Sequence, residues 1–180
     1  MKLFLKLLIL IITITSCSLS KQFKKENQEI TLAMNQYVKF LNNKEIDSLK
    51  IFMSEKIIGQ EGIDEEIQRI KDKFNEKYFI DFKMDPKYDI VKIIDKNNIK
   101  YSALNYTIYM TGHHDGSDIK YLNNFFGLEN VTFDKDKQIV KIKMDDTFYG
   151  IKDESSNWVF IRLTEATSKF LPEEIQLIKK

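Results

Sequence analysis

A single cysteine, Cys17, in 180 residues rules out an intramolecular disulfide, so the folded chain depends on its hydrophobic core alone. Two prolines and six glycines leave few breaks in regular structure, and no repeat or low-complexity stretch divides the sequence. Histidine occurs twice, at His113 and His114. Arginine also occurs twice, at Arg69 and Arg162, and every other basic residue is lysine. Together with abundant isoleucine and asparagine this resembles the coding bias of an AT-rich genome, which lowers the functional weight of the lysines. The 28 basic and 27 acidic residues nearly cancel. Such a balance excludes a general attraction to nucleic acid, which rests on clustered Lys and Arg neutralising phosphates.

The N-terminus carries the clearest local signal. Lys2 and Lys6 accompany an apolar stretch over residues 3–14, too short to span a bilayer, which takes about 20 apolar residues. A positive end, a short apolar middle and a small-residue exit describe an export signal. The exit, Ile14-Thr15-Ser16-Cys17, resembles the lipobox of bacterial lipoprotein precursors. In that family the cysteine thiol receives a diacylglyceryl group and the chain is cut before it. The resemblance implies a signal peptide over 1–16, a lipidated tether over 17–27 and one globular domain over 28–180. Its address is then the cell membrane or outer membrane, with the domain on the extracytoplasmic side. Ser18 is not the aspartate that retains such proteins in the inner membrane of two-membrane bacteria, so the same resemblance points outward. Losing Lys2 and Lys6 leaves 26 basic against 27 acidic residues. The tether is polar, and its Lys21, Lys24 and Lys25 are either solvated or near anionic headgroups, at about 1 kcal/mol each.

Periodicity predicts helices first. Ile30, Met34, Tyr37 and Leu41 repeat at helical spacing, which predicts a helix over 26–41. Asn43 is placed to cap a second helix with Ile46, Leu49 and Met53 on one face. Gly59 and Gly62 mark a loop, and Ile63, Ile67, Ile70 and Phe74 form a third amphipathic stripe. Beyond residue 78 the pattern turns to strands over 78–84, 88–95 and 99–111, a polar loop over 112–124, a hairpin over 128–133 and 139–149, and a strand over 158–163. Pro172-Glu173-Glu174 opens a short final helix.

Helices followed by an antiparallel meander predict an α+β domain, with N-terminal helices packed on one face of an antiparallel sheet, followed by a short C-terminal helix. This order, and the stretch Tyr37-Val-Lys-Phe-Leu-Asn-Asn-Lys-Glu-Ile-Asp-Ser-Leu49, resemble the NTF2-like, cystatin-like cone folds. The resemblance implies helices closing over a bent sheet that usually encloses a cavity. A helical hairpin plus sheet of other topology is the competing architecture.

No motif compels a chemistry. Zinc wants three or four protein ligands, and His113-His114-Asp115 has no third histidine and no free thiol nearby in sequence. Neighbouring imidazoles in extended chain diverge, so the cluster reads as a hairpin tip. The run from Asp134 to Gln138 has Ile139 where a calcium loop needs glycine. Asp145 and Asp146 lie within a strand and send one carboxylate to each face. Enzymes of the NTF2-like group use an Asp or a His as base in their cavity, which makes Asp146 and His113 the catalytic candidates; an exposed or edge-strand aspartate is the plainer reading. Tyr101, Tyr109 and Trp158, with Phe148, are the candidates for lining a ligand pocket, against the plainer reading as core. No metal or other cofactor is expected.

The resulting expectation is a membrane-anchored lipoprotein that binds a small apolar ligand or an envelope protein without catalysis. Its rivals are an NTF2-like isomerase, dehydratase or hydrolase, and a structural, surface-exposed lipoprotein. A deep aromatic pocket holding a buried ionisable group favours the enzyme; an exposed apolar patch favours a protein partner.

Overall fold

The computed structural model of the chain describes residues 24–75, 79–152 and 157–178. The lipobox with Cys17, the tether up to residue 23 and the predicted strand residue Tyr78 lie outside them. Helix α1 runs over 24–42 and begins inside the predicted tether, with Lys25 set 3.9 Å from Glu29 one turn on. Its stripe of Ile30, Met34, Tyr37, Val38 and Leu41 is buried, as the spacing predicts. The helix ends where the Asn42 side-chain amide acts as a backbone mimic. It donates to Met84 O at 2.9 Å and accepts from Met84 N at 2.9 Å, tying the helix end to the sheet. Lys44 then takes a left-handed conformation, φ 61°, that reverses the chain.

The next segment, Ile46–Phe52, is a 3-10 helix rather than the α-helix expected, and Asn43 does not cap it: its amide bonds the Glu45 carboxylate at 3.0 Å. Its buried residues explain the difference. Ile46, Leu49 and Phe52 recur every third position, the period of a 3-10 helix, so Phe52 replaces the predicted Met53 on the inner face. Helix α2, Glu55–Asn75, absorbs the predicted Gly59–Gly62 loop into one break at Gly59, whose φ of 72° and ψ of 165° favour a residue without Cβ. Ile63, Ile67 and Ile70 face inward beyond it.

Six antiparallel strands follow: β1 Phe79–Met84, β2 Asp89–Lys96, β3 Ile99–His113, β4 Val131–Asp134, β5 Ile139–Lys152 and β6 Val159–Ile161. Strands β3 and β5 form the spine, paired without interruption from Lys100↔Lys152 to His113↔Ile139. The outer edge of β3 is shared by β2 and β1, each entering with a register shift, and that of β5 by β6 and β4. Leu104, Tyr106, Ile108 and Met110 of β3, with Val140, Ile142 and Phe148 of β5, join the main core under α1 and α2. The opposite sheet face is covered only toward the Lys100 end. There Ala103, Tyr149 and Ile151 pack with Ile175 and with Leu171, which lies between two short helices, α4 Glu165–Ser168 and α5 Glu173–Gln176. One C-terminal helix was expected; α4 precedes it, closed by reciprocal bonds between Thr164 and Thr167. The domain is thus α+β: N-terminal helices, an open six-stranded antiparallel sheet, and short C-terminal helices. Among the described residues, no helix is long and apolar enough to cross a membrane.

Two ion pairs fasten the start of α1 to the sheet spine. Glu26 meets Lys100 at 2.8 Å, and Glu29 meets Lys152 at 2.6 Å. The hydrogen bond from Lys152 holds the Glu29 carboxyl below its ordinary range, against a smaller opposing effect of burial. A carboxyl depressed on folding adds stability above its unfolded pKa and loses it as pH falls through the folded one. Glu29→Gln is therefore expected to cost about 0.5–1 kcal/mol at neutral pH, the size of a modest ion pair. In urea unfolding, that difference from wild type should vanish at strongly acid pH.

Candidate functional site

Where α1 and the start of α2 face β5 and β6, the walls do not close. They leave a cavity of about 570 Å³. Its floor is aromatic, because alternation along β5 and β6 aims Phe148 and Phe160 at α1. The ring of Tyr37 stands edge-on to Phe52, Phe148 and Phe160 at 5.7, 5.2 and 5.8 Å. Tyr106 stacks on Phe148 at 4.4 Å from behind. Met53, Ile57 and Ile58, delivered by the 3-10 helix and the segment before the Gly59 break, form the apolar side wall.

Polar groups enter from two directions. From α2, Arg69 and Glu66 reach the wall already paired with each other, and that hydrogen bond raises the Arg69 pKa. From the end of β6, Arg162 lies between this cavity and a second recess of about 350 Å³ that it shares with Asp145 and Asp146. Its guanidinium stands 6.0 Å from the centre of the Phe148 ring. Its Nε is buried and has no hydrogen-bond partner. An unsatisfied buried donor costs about 1–3 kcal/mol, more when charged, so this cation is held in place at a cost. Ser102 Oγ and Trp158 Nε1 are likewise buried and unpartnered, but neither belongs to the cavity wall.

Burial raises the pKa of both the Tyr37 and Tyr106 hydroxyls, and the nearby Arg162 charge only partly opposes it. Both remain neutral donors at physiological pH. Tyr106 Oη donates to Asp146 Oδ2 at 2.9 Å across the β3–β5 register, while Oδ1 accepts from Thr147 N at 2.7 Å. Asp145, on the other face, accepts from Thr107 Oγ1. The two carboxylates do point to opposite faces, as the strand reading predicts.

The remaining sequence candidates are not brought together. Tyr101 and Tyr109 share the sheet face opposite Phe148, eight residues or about 27 Å apart along β3. Tyr101 lines a separate recess of about 430 Å³ with Ile57 and Phe170. Tyr109 is half exposed and bonds Asp85 at 3.3 Å. Trp158 is buried in the main core beside Gly150, which has no side chain to displace the indole; a Cβ there would lie 3.1 Å from it. Of the four aromatic candidates, Phe148 alone lines the cavity under α1 and α2.

His113 ends β3 at the far end of the sheet, in a recess of about 640 Å³ with His114, Asp115 and Tyr121. His114 fastens the turn: its Nδ1 accepts from Gly116 N at 2.8 Å, which places the imidazole proton on Nε2. Among the described residues, no group of three His, Cys, Asp or Glu lies close enough to share a metal ion. The polar loop predicted over 112–124 contains a helix instead, α3, Ile119–Phe126. Ile119, Leu122 and Phe126 pack on the core, whereas Tyr121 and Phe125 stack on each other in solvent with Leu128 beside them.

Sequence reasoning missed the arginines. The signal was present: in a chain that uses lysine almost everywhere, both arginines line one cavity.

No protein-family model matches the chain, and no curated protein does. A solved structure described as that of a conserved protein from Planctomyces limnophilus DSM 3776 is similar at 10% identity, over 76% of this chain and 93% of that one, with a TM-score of 0.46.

Proposed function

We propose that the chain is a lipid-anchored protein of the bacterial envelope, whose NTF2-like domain binds a small, largely apolar ligand between α1, α2 and the β5–β6 edge. The observation that carries this reading is the aromatic-floored cavity of about 570 Å³, a size that suits small organic molecules. Helices preceding a six-stranded antiparallel sheet support the NTF2-like assignment. The Ile14-Thr15-Ser16-Cys17 lipobox supports the anchor. In that chemistry the Cys17 thiol displaces the phosphate head group of a glycerophospholipid, which leaves with its C–O bond electrons as the diacylglyceryl thioether forms. The thiol proton is lost, and hydrolysis of the preceding peptide bond frees the Cys17 amine.

Binding fits the wall better than catalysis does. Arginine keeps its proton at any physiological pH, so Arg69 and Arg162 hold charge and do not shuttle protons. The one carboxylate on the cavity wall, Glu66, is tied to Arg69, and both oxygens of Asp146 accept from neighbours. His113 lies in a different recess.

A water-soluble neutral probe tests the reading. The full chain in lipid nanodiscs should bind 4-phenylbutyramide saturably by calorimetry, beyond the signal of empty nanodiscs. Ala166 sits exposed at the cavity wall, and Ala166→Trp should fill the opening without removing core contacts. An affinity drop of about tenfold is expected, roughly 1.4 kcal/mol, with an unchanged melting temperature. Absence of saturable binding by this amide and by its carboxylate counterpart alike contradicts the proposal.

A second reading has its own observation. Tyr121, Phe125 and Leu128 are 65%, 69% and 74% exposed, on an end of the β3–β5 spine opposite the start of α1. A clustered apolar patch of this kind suits a protein partner in the envelope. Such a partner would leave the cavity free, so the amide titration separates the two.

A further inference from the structure

We infer that the ligand of this cavity carries a carboxylate head, and that Arg162 binds it. The inference rests on the reading of the cavity as a ligand site and adds the chemical class of its occupant.

Among the described residues the cation has no counter-ion. No ion pair of Arg162 exists among the described residues, and its Nε faces no acceptor. The nearby carboxylates are engaged elsewhere: Glu66 by Arg69, Asp146 by Tyr106 and Thr147, and Asp145 by Thr107. An arginine that shares its recesses with three acids would normally be satisfied by one of them. Here Asp146 takes the uncharged Tyr106 hydroxyl at 2.9 Å instead, so the guanidinium is left for an anion from outside.

The shape of the guanidinium points the same way. A guanidinium is a planar fork of donors that matches the two oxygens of a carboxylate. Beside it, the Tyr37 hydroxyl on the same wall remains protonated and supplies a further neutral donor. One unneutralised guanidinium with a phenol suits a monoanion; a dianionic phosphate would leave charge uncompensated in a half-buried site. The rest of the cavity surface sets the other end of the ligand. Met53, Ile57, Ile58 and Phe160 offer only apolar contact, which fixes the ligand as an amphiphile with an acyl or aryl tail. Lys169 at the rim adds positive charge that favours arrival of an anion.

Calorimetry on the full chain in nanodiscs, with 4-phenylbutyrate set against its neutral isostere 4-phenylbutyramide, tests the assignment. The wild type should prefer the acid by about tenfold to a hundredfold, the range of a charge-assisted hydrogen bond. Arg162→Met should lower the acid to the level of the amide and leave the amide unchanged. Arg162→Lys keeps the charge but not the fork, and should lose most of the preference; it also serves if the methionine variant proves unstable. Equal affinity of acid and amide for the wild type, or equal weakening of both by the substitutions, overturns the assignment while the apolar cavity stands. If neither compound binds, the cavity reading fails and takes the inference with it.

Discussion

Phe148→Ala is expected to destabilise the domain by about 3–5 kcal/mol, the cost of truncating a buried aromatic and leaving a void. The side chain is 4% exposed and is the hub of the aromatic cluster. It stacks on Tyr106 at 4.4 Å, meets Tyr37 edge-on at 5.2 Å, lies 6.2 Å from Phe160 and supports the Arg162 guanidinium. Each such ring pair adds about 0.5–1.5 kcal/mol beyond area burial, so the upper half of the range is the better expectation. Thermal unfolding should shift down by about 6–20 °C for a domain of this length. Phe148→Leu keeps most of the volume and should cost well under half as much. If the alanine variant melts with the wild type, the cavity floor is not the packed aromatic cluster described.

The second large effect concerns the address. Cys17→Ser removes the chain's single thiol and should abolish incorporation of labelled fatty acid altogether. Anchoring is steeply dependent on chain number. Each buried methylene contributes about 0.8 kcal/mol, so a single acyl chain holds marginally and two or more hold firmly. Losing all acyl chains should therefore move the protein from the membrane to the soluble fraction, unless the uncut apolar segment over residues 3–14 retains it weakly. Undiminished labelling of the serine variant would remove the basis of the envelope assignment.

How far these features could be read in advance depended on whether burial was one-sided. Helix α1 buries one stripe, so Ile30, Met34, Tyr37 and Leu41 announce it directly. Strand β3 alternates for the same reason over most of its length. From Thr147 to Ile151, β5 is buried on both faces, because α4 and α5 cover the second one, and alternation gives no guide there. The 3-10 segment was legible only to someone counting threes. Ile46, Leu49 and Phe52 satisfy that period, while Ile46, Leu49 and Met53 satisfy the helical one equally well on paper. Helix α3 was hidden by its own surface: Tyr121 and Phe125 are apolar yet exposed, among asparagines that suggest a loop.

The site was less legible than the fold. Phe148 and Asp146 stood out as pocket and strand residues, and the structure places both near Arg162. Tyr37 reads only as helix stripe until β6 brings Phe160 against it. The arginines belong to segments more than ninety residues apart, and nothing local joins them. Composition discounted the lysines, and the scarcity of arginine beside them was the part that carried information.

The acylation proposed for Cys17 and the ligand proposed for the cavity are read together by native mass spectrometry of the full chain, recovered from the membranes of cells that make it. The predicted spectrum shows a chain beginning at residue 17 with a covalent lipid mass that survives denaturation. It also shows a smaller non-covalent organic mass that denaturation releases. A chain that begins at Met1 or bears no lipid, together with an empty cavity, would contradict the account at its root.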